Sequence, residues 1–223
     1  MRTNAGEASN SPSAQDMLRC AITDRALLPG DEPSRRLALV ALVRRWAQQG
    51  INLIQLREKD LPTAELTPLA RALVGIISAS GSRLLINSRA DVAIAAGAHG
   101  VHLTAASDEL TPAQVRTLFS RANCPAPFVS VSCHSLGEVS RARSHHADAI
   151  LFGPIFGKVI HGVQHAPAPD PIISLAALHA ACLAASPIPV LALGGVTPAN
   201  TSDCLAAGAA GIAAIRLFLD ATR

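Results

Sequence analysis

Two short segments carry side chains whose types and spacing could do chemistry. In the run INLIQLREK, a strand's two-residue alternation puts Gln55, Arg57 and Lys59 on one face. Two cations and an amide converging there would suit an anionic substrate, because charge withdrawn from water needs a partner. A strand end with solvated charges shows the same pattern. Glu58 falls on the opposite face and reads as structural. In FVSVSCH, Ser130, Ser132 and His134 share a face, with His134 at the end of the run. A neutral imidazole there could take and return a proton near pH 7, or it could cap the helix that follows. Cys133 is on the other face, which argues against a Cys–His nucleophilic pair.

Weaker signals surround these. Asn87 ends the run RLLIN and could hold a ring nitrogen or a phosphate oxygen, or simply make a turn. His102, between Val101 and Leu103, reads as a packed, hydrogen-bonded core histidine. Gly194-Gly195 follows PVLAL and Arg216 follows GIAAI. Glycines let a phosphate approach the backbone closely, and an arginine adds a charge-assisted bond, although glycine ends many strands. His161 and His165 are four apart, but Gly162 and Pro167 argue against a helical metal pair. The run Ile155 to Pro171 reads as a long loop, a candidate lid.

Elements must position these residues. Eight short apolar runs (LRCAI, INLIQL, RLLI, GVHL, FVSVS, AILFG, PVLAL and GIAAI) recur about every 26 residues. Most are followed by Ala/Leu/Arg-rich helical stretches, at Pro33–Gln49, Thr63–Ala79, Thr111–Arg121, Leu136–His145, Ser174–Ala185 and Pro198–Ala207. Thr111-Pro112 and Thr197-Pro198 read as helix starts with Pro in the first turn. Strands separated by helices must run parallel, and eight such units predict a single (β/α)8 TIM barrel. An open doubly wound sheet would need GxGxxG after the first strand, and none follows Ile22. Barrel sites sit at the C-terminal strand ends, which is where the polar residues above fall. Residues 1–16 read as a flexible tail and 17–223 as the barrel.

Composition narrows the classes. With 223 residues and 49% apolar content, one sizeable core is available. A net charge of +3 with no basic run, five Phe, one Trp and no Tyr argue against nucleic acid. No apolar stretch reaches membrane-spanning length. Five scattered cysteines without a CxxC pair suggest reduced thiols and a cytoplasmic setting. Assembly into a homo-oligomer is left open.

The series ITDR, QLREKD, LLINSRADVA, GAHGVHL, SCHSLGEV, ADAILFGPIF, PVLALGGVTPAN and GAAGIAAI resembles the superfamily of thiamin-phosphate synthase and TenI-type thiazole tautomerase, from about Ile22 to Phe218. The resemblance implies a TIM barrel, a phosphorylated thiazole ligand and a role in thiamin biosynthesis. The synthase branch joins a pyrimidine pyrophosphate to thiazole phosphate and holds Mg2+ on two aspartates. One follows the asparagine of N-D-R; the other ends H-L-G-Q-x-D. Here those places are Ser88 and Ser107, with Asp108 one residue late. Where the synthase branch has T-x-T-K after G-P-I-F, this chain has Gly157-Lys158-Val159-Ile160-His161, and a serine after the last strand is replaced by Arg216.

The tautomerase branch moves a proton within a thiazole phosphate carboxylate and uses no metal. On that comparison the expected activity is a metal-independent thiazole tautomerase, an isomerase, with His134 as general acid/base and Ser132 orienting substrate. Gln55, Arg57, Lys59 and Asn87 would bind the rest of the substrate. Gly194, Gly195, Ile215 and Arg216 would take the phosphate. The alternative is the synthase, a transferase, with Mg2+ held through Asp108. A further alternative is a non-catalytic binder or regulator of thiamin phosphates.

Overall fold

The structure, a computed structural model, describes residues 17–156, 159–160, 163–164 and 175–219. The segment read as a tail therefore lies outside the described residues, as does most of the candidate lid. In chain order the strands are β1 (Leu18–Ile22), β2 (Leu53–Leu56), β3 (Arg83–Asn87), β4 (Gly100–Leu103), β5 (Phe128–Cys133) and β6 (Ala149–Phe152). They continue with β7 (Val159–Ile160), β8 (Val163–Gln164), β9 (Val190–Leu193) and β10 (Gly211–Ala214). Eight of them close a barrel in the order β1-β10-β9-β6-β5-β4-β3-β2, every neighbouring pair parallel. The eight apolar runs are those eight strands. β7 and β8 pair antiparallel as a separate two-stranded ribbon within the candidate lid.

The barrel strands are mostly apolar because both their faces are covered. One face packs under the helices; the other fills the lumen, where Cys20, Ile22, Leu53, Leu85, Ala149, Leu151, Leu191 and Ala213 form a cluster of their own. The helices are α1 (Glu32–Gln48), α2 (Thr63–Ile77), α3 (Ala90–Ala96), α4 (Pro112–Arg121), α5 (Leu136–Ser144), α6 (Leu175–Ala185), α7 (Thr201–Ala206) and α8 (Arg216–Leu219). Buried Trp46 of α1 donates its indole N–H to Phe218 O at 2.9 Å, tying the last turn to the first helix.

Local sequence accounts for several helix starts. Thr111 and Ser135 each build a reciprocal capping box, with Gln114 and Glu138. Thr197-Pro198 does not open a helix. Thr197 N–H instead bonds Asn200 Oδ1, and α7 begins after Asn200. Helix α3 was not expected, since seven residues give too few turns for a period to show; Gly97 ends it at φ +68°.

Candidate active site

The C-terminal ends of the strands bring the sequence-selected side chains to one rim. Residues with the parity of Leu53 on β2 and Leu85 on β3 face the lumen, and this puts Gln55 and Asn87 in its upper layer. Gln55 is 2% exposed and donates from Nε2 to Asn87 Oδ1 at 2.8 Å. Its Oε1 is buried with no partner among the described residues, an acceptor without a donor there. Beside it, His102 is buried between two hydroxyls, Nδ1 to Ser130 Oγ and Nε2 to Ser132 Oγ, both 2.9 Å. The core reading of His102 stands. Ser132 is therefore committed to His102 and reaches the rim only as part of that network.

Burial, helped by the charge of Arg57, pushes the His102 imidazole down to about 3. An unfolded chain binds a proton near pH 6.5 that this folded imidazole refuses, so stability is full above that pH and drains away below it. Between pH 6.5 and about 5 the loss is expected to be about 2 kcal/mol from this group, at about 1.4 kcal/mol per pH unit. Urea unfolding of wild type and His102→Gln across that range checks this: the substitution should remove that part of the slope.

His134 follows β5 at the rim. Its Nδ1 donates to the carbonyl of Gly153, which leaves Nε2 as the ring nitrogen directed away from that bond. Its backbone N–H and that of Ser135 both bond Glu138. The helix start thus fixes the chain at His134 while the ring stays exposed. From Gly153 the chain runs directly to the glycine pair. Ile155 N–H bonds Leu193 O at 2.9 Å and Phe156 N–H bonds Gly194 O at 3.0 Å. Gly194 and Gly195 have φ of +93° and +65°. A side chain at Gly194 would meet Pro154 Cβ at 2.7 Å, so only glycine allows this approach. Ile215 and Arg216 follow β10, which pairs with β9, so their loop neighbours the glycine turn. Arg216 is exposed.

On the other side of the mouth, Arg57 and Lys59 follow β2. Arg57 N–H bonds buried Thr23 Oγ1 at 2.9 Å. A cavity of about 320 Å3 between the loops after β2 and β3 is lined by Glu58, Lys59, Asn87, Ser88, Arg89 and Thr104. Asp108 does not come to this place; it is exposed. Glu109 does. Its Oε2 accepts from Ser88 Oγ at 2.6 Å, Thr104 Oγ1 at 3.1 Å and Thr104 N at 3.3 Å. Ser88, held at φ +54°, turns its hydroxyl toward that carboxylate. Glu109 was invisible to motif spacing, since it lies two residues beyond the place where the resembling pattern has its aspartate. Among the described residues no three His, Cys, Asp or Glu side chains gather as a metal cluster. No described helix is long and apolar enough to cross a membrane.

Comparison with known proteins decides the family. A family profile described as thiamine monophosphate synthase matches residues 20–218. The chain belongs to the thiamine monophosphate synthase family. A protein of Geobacter sulfurreducens named "Putative thiamine-phosphate synthase" is 41% identical over 89% of this chain and 84% of its own length. The thiamine-phosphate synthase of Chlorobium luteolum is 37% identical over 92% of this chain and 86% of its own. Among solved structures, the thiamine phosphate pyrophosphorylase of Pyrococcus furiosus superposes with a TM-score of 0.71 at 27% identity, covering 90% of this chain and 86% of that one. In this member of the family the motif residues Gln55, Asn87, His134 and Gly194 lie around one barrel mouth, and Glu109 hydrogen-bonds Ser88, one of the two positions where the resembling pattern has an aspartate.

Proposed function

We propose that this chain is a thiamine-phosphate synthase, joining a hydroxymethylpyrimidine pyrophosphate to thiazole phosphate. The observation that carries this over the expected tautomerase is Glu109, a carboxylate at Ser88 where the spacing alone left none. The names of relatives covering most of the chain support the same reading.

The reaction forms a bond from the thiazole ring nitrogen to the pyrimidine methylene carbon and breaks that carbon's bond to pyrophosphate oxygen. Glu109 with the Ser88 and Thr104 hydroxyls is a set of hard oxygen donors. Such a set suits Mg2+, which takes one or two carboxylates and completes its shell with water and substrate phosphates. The cation would supply neutralisation of the departing pyrophosphate. Arg57 and Lys59 bind the same anion by charge. Gln55 Oε1, the unpaired buried acceptor, takes an N–H from the pyrimidine's substituents and so orients that ring. The turn at Gly194 and Gly195, with Ile215 and Arg216, holds the thiazole phosphate. His134, with Nε2 free at the rim, is placed to accept a hydrogen bond from a substrate or to move a proton.

A second reading, the metal-independent tautomerase, draws on Ser88 and Ser107 standing where aspartates are expected, and on His134 as its general acid/base. One assay separates the two. With both substrates supplied, pyrophosphate release should require Mg2+ and stop with a chelator. No release with or without Mg2+, together with isomerisation of a thiazole phosphate carboxylate, would replace the synthase by the tautomerase.

A further inference from the structure

Arg25 follows β1 and is 6% exposed, an unusual place for a guanidinium. It is held by three carboxylates. Nε bonds Glu32 Oε1 at 2.8 Å, and Nη1 bonds Glu58 Oε2 at 2.9 Å. Nη1 and Nη2 together grip Asp60, at 2.7 and 2.6 Å. The backbone N–H of Arg25 also points at the Glu58 carboxylate, at 3.2 and 3.3 Å. The Glu58 side chain is 2% exposed and is ion-paired with Arg25. Asp60 is held below the usual carboxylate range by the same guanidinium.

The run Arg57-Glu58-Lys59-Asp60 alternates cation and anion. Glu58 and Asp60 turn to Arg25, whereas neither Arg57 nor Lys59 has an ion-pair partner among the described residues. Without Arg25, the two carboxylates would be uncompensated charges in the same four-residue run and would lower the positive potential that Arg57 and Lys59 present. We propose that Arg25 is a positioning residue that draws Glu58 and Asp60 away from Arg57 and Lys59, keeping both cations available to a diphosphate. This rests on the synthase reading, in which that diphosphate belongs to the pyrimidine substrate. Arg25 itself touches no substrate; it acts through the two cations.

Calorimetric titration of the full chain with inorganic pyrophosphate tests it, alongside steady-state kinetics. Arg25→Met should weaken pyrophosphate binding about tenfold and raise KM for the pyrimidine pyrophosphate, leaving KM for thiazole phosphate unchanged. Adding Glu58→Gln to Arg25→Met removes the carboxylate that would capture the cations and should recover part of the lost affinity. A merely structural role for Arg25 would give no such recovery. Should Arg25→Met fail to fold, Arg25→Lys keeps the charge but loses the two-pronged hold on Asp60, and should weaken binding about threefold. Wild-type affinity in the folded Arg25 variants, or a double variant no better than Arg25→Met, overturns the proposal. An Arg57→Ala/Lys59→Ala chain that loses pyrophosphate while Arg25→Met keeps it sinks the role of Arg25 and spares the synthase reading. A wild-type chain that binds no pyrophosphate at all sinks both.

Discussion

Glu109→Gln is expected to lower Mg2+-dependent pyrophosphate release by about 100-fold, equivalent to about 2.7 kcal/mol of transition-state stabilisation. The amide matches the carboxylate in size and its oxygen still accepts from Thr104, so the loop keeps its shape. What disappears is the negative charge beside Ser88. A neutral oxygen is a poor ligand for a hard, strongly hydrated cation, so the half-saturating Mg2+ concentration should rise as the rate falls. Asp108→Asn is the control. Its side chain is exposed and reaches none of these partners, and it should change the rate by less than about twofold, as surface substitutions usually do. Equal losses in the two variants would return the metal to Asp108. No loss in Glu109→Gln would remove the carboxylate from the reaction and favour the tautomerase.

Gly100→Ala is expected to destabilise the fold by at least about 3 kcal/mol, near the upper end of ordinary overpacking. Gly100 opens β4 and pairs with Phe128 of β5. A Cβ there would lie 1.8 Å from Phe128 O and 2.7 Å from its carbonyl carbon. Those are backbone atoms in a closed ring, which cannot retreat without breaking the β4–β5 register. At 2–4 °C per kcal/mol for a chain of this size, the melting temperature should fall by about 10 °C. Gly75→Ala gives the opposite case, since a methyl added at this exposed position of α2 meets nothing within 4 Å. There the helix should gain about 0.5–1 kcal/mol. A Gly100→Ala melt within about 2 °C of wild type would show that the sheet yields at this corner.

The polar face of the mouth was legible because alternation along a strand is local. Once Leu53 and Phe128 are placed on the lumen side, Gln55, Ser130, Ser132 and, past the strand end, His134 must follow. The same alternation put Glu58 on the back of its strand, and there it meets Arg25. Arg25 was less legible. The sign alternation of Arg57 to Asp60 calls for a cation behind it, but nothing near in sequence says that the residue 33 positions earlier supplies it.

What strand alternation and the helices between strands could settle from the chain alone is therefore the ring of eight parallel strands and the residues that share each strand's inner face. Loops obey no such period, and their side chains are aimed by packing between segments distant in sequence. Only the closed barrel could show that Glu109 rather than Asp108 reaches Ser88, that Ser132 is held by His102, and that His134 shares a rim with Gly194 through the Gly153 carbonyl. Each of those is a meeting of loops or neighbouring strands, fixed when the ring closes and the register is set.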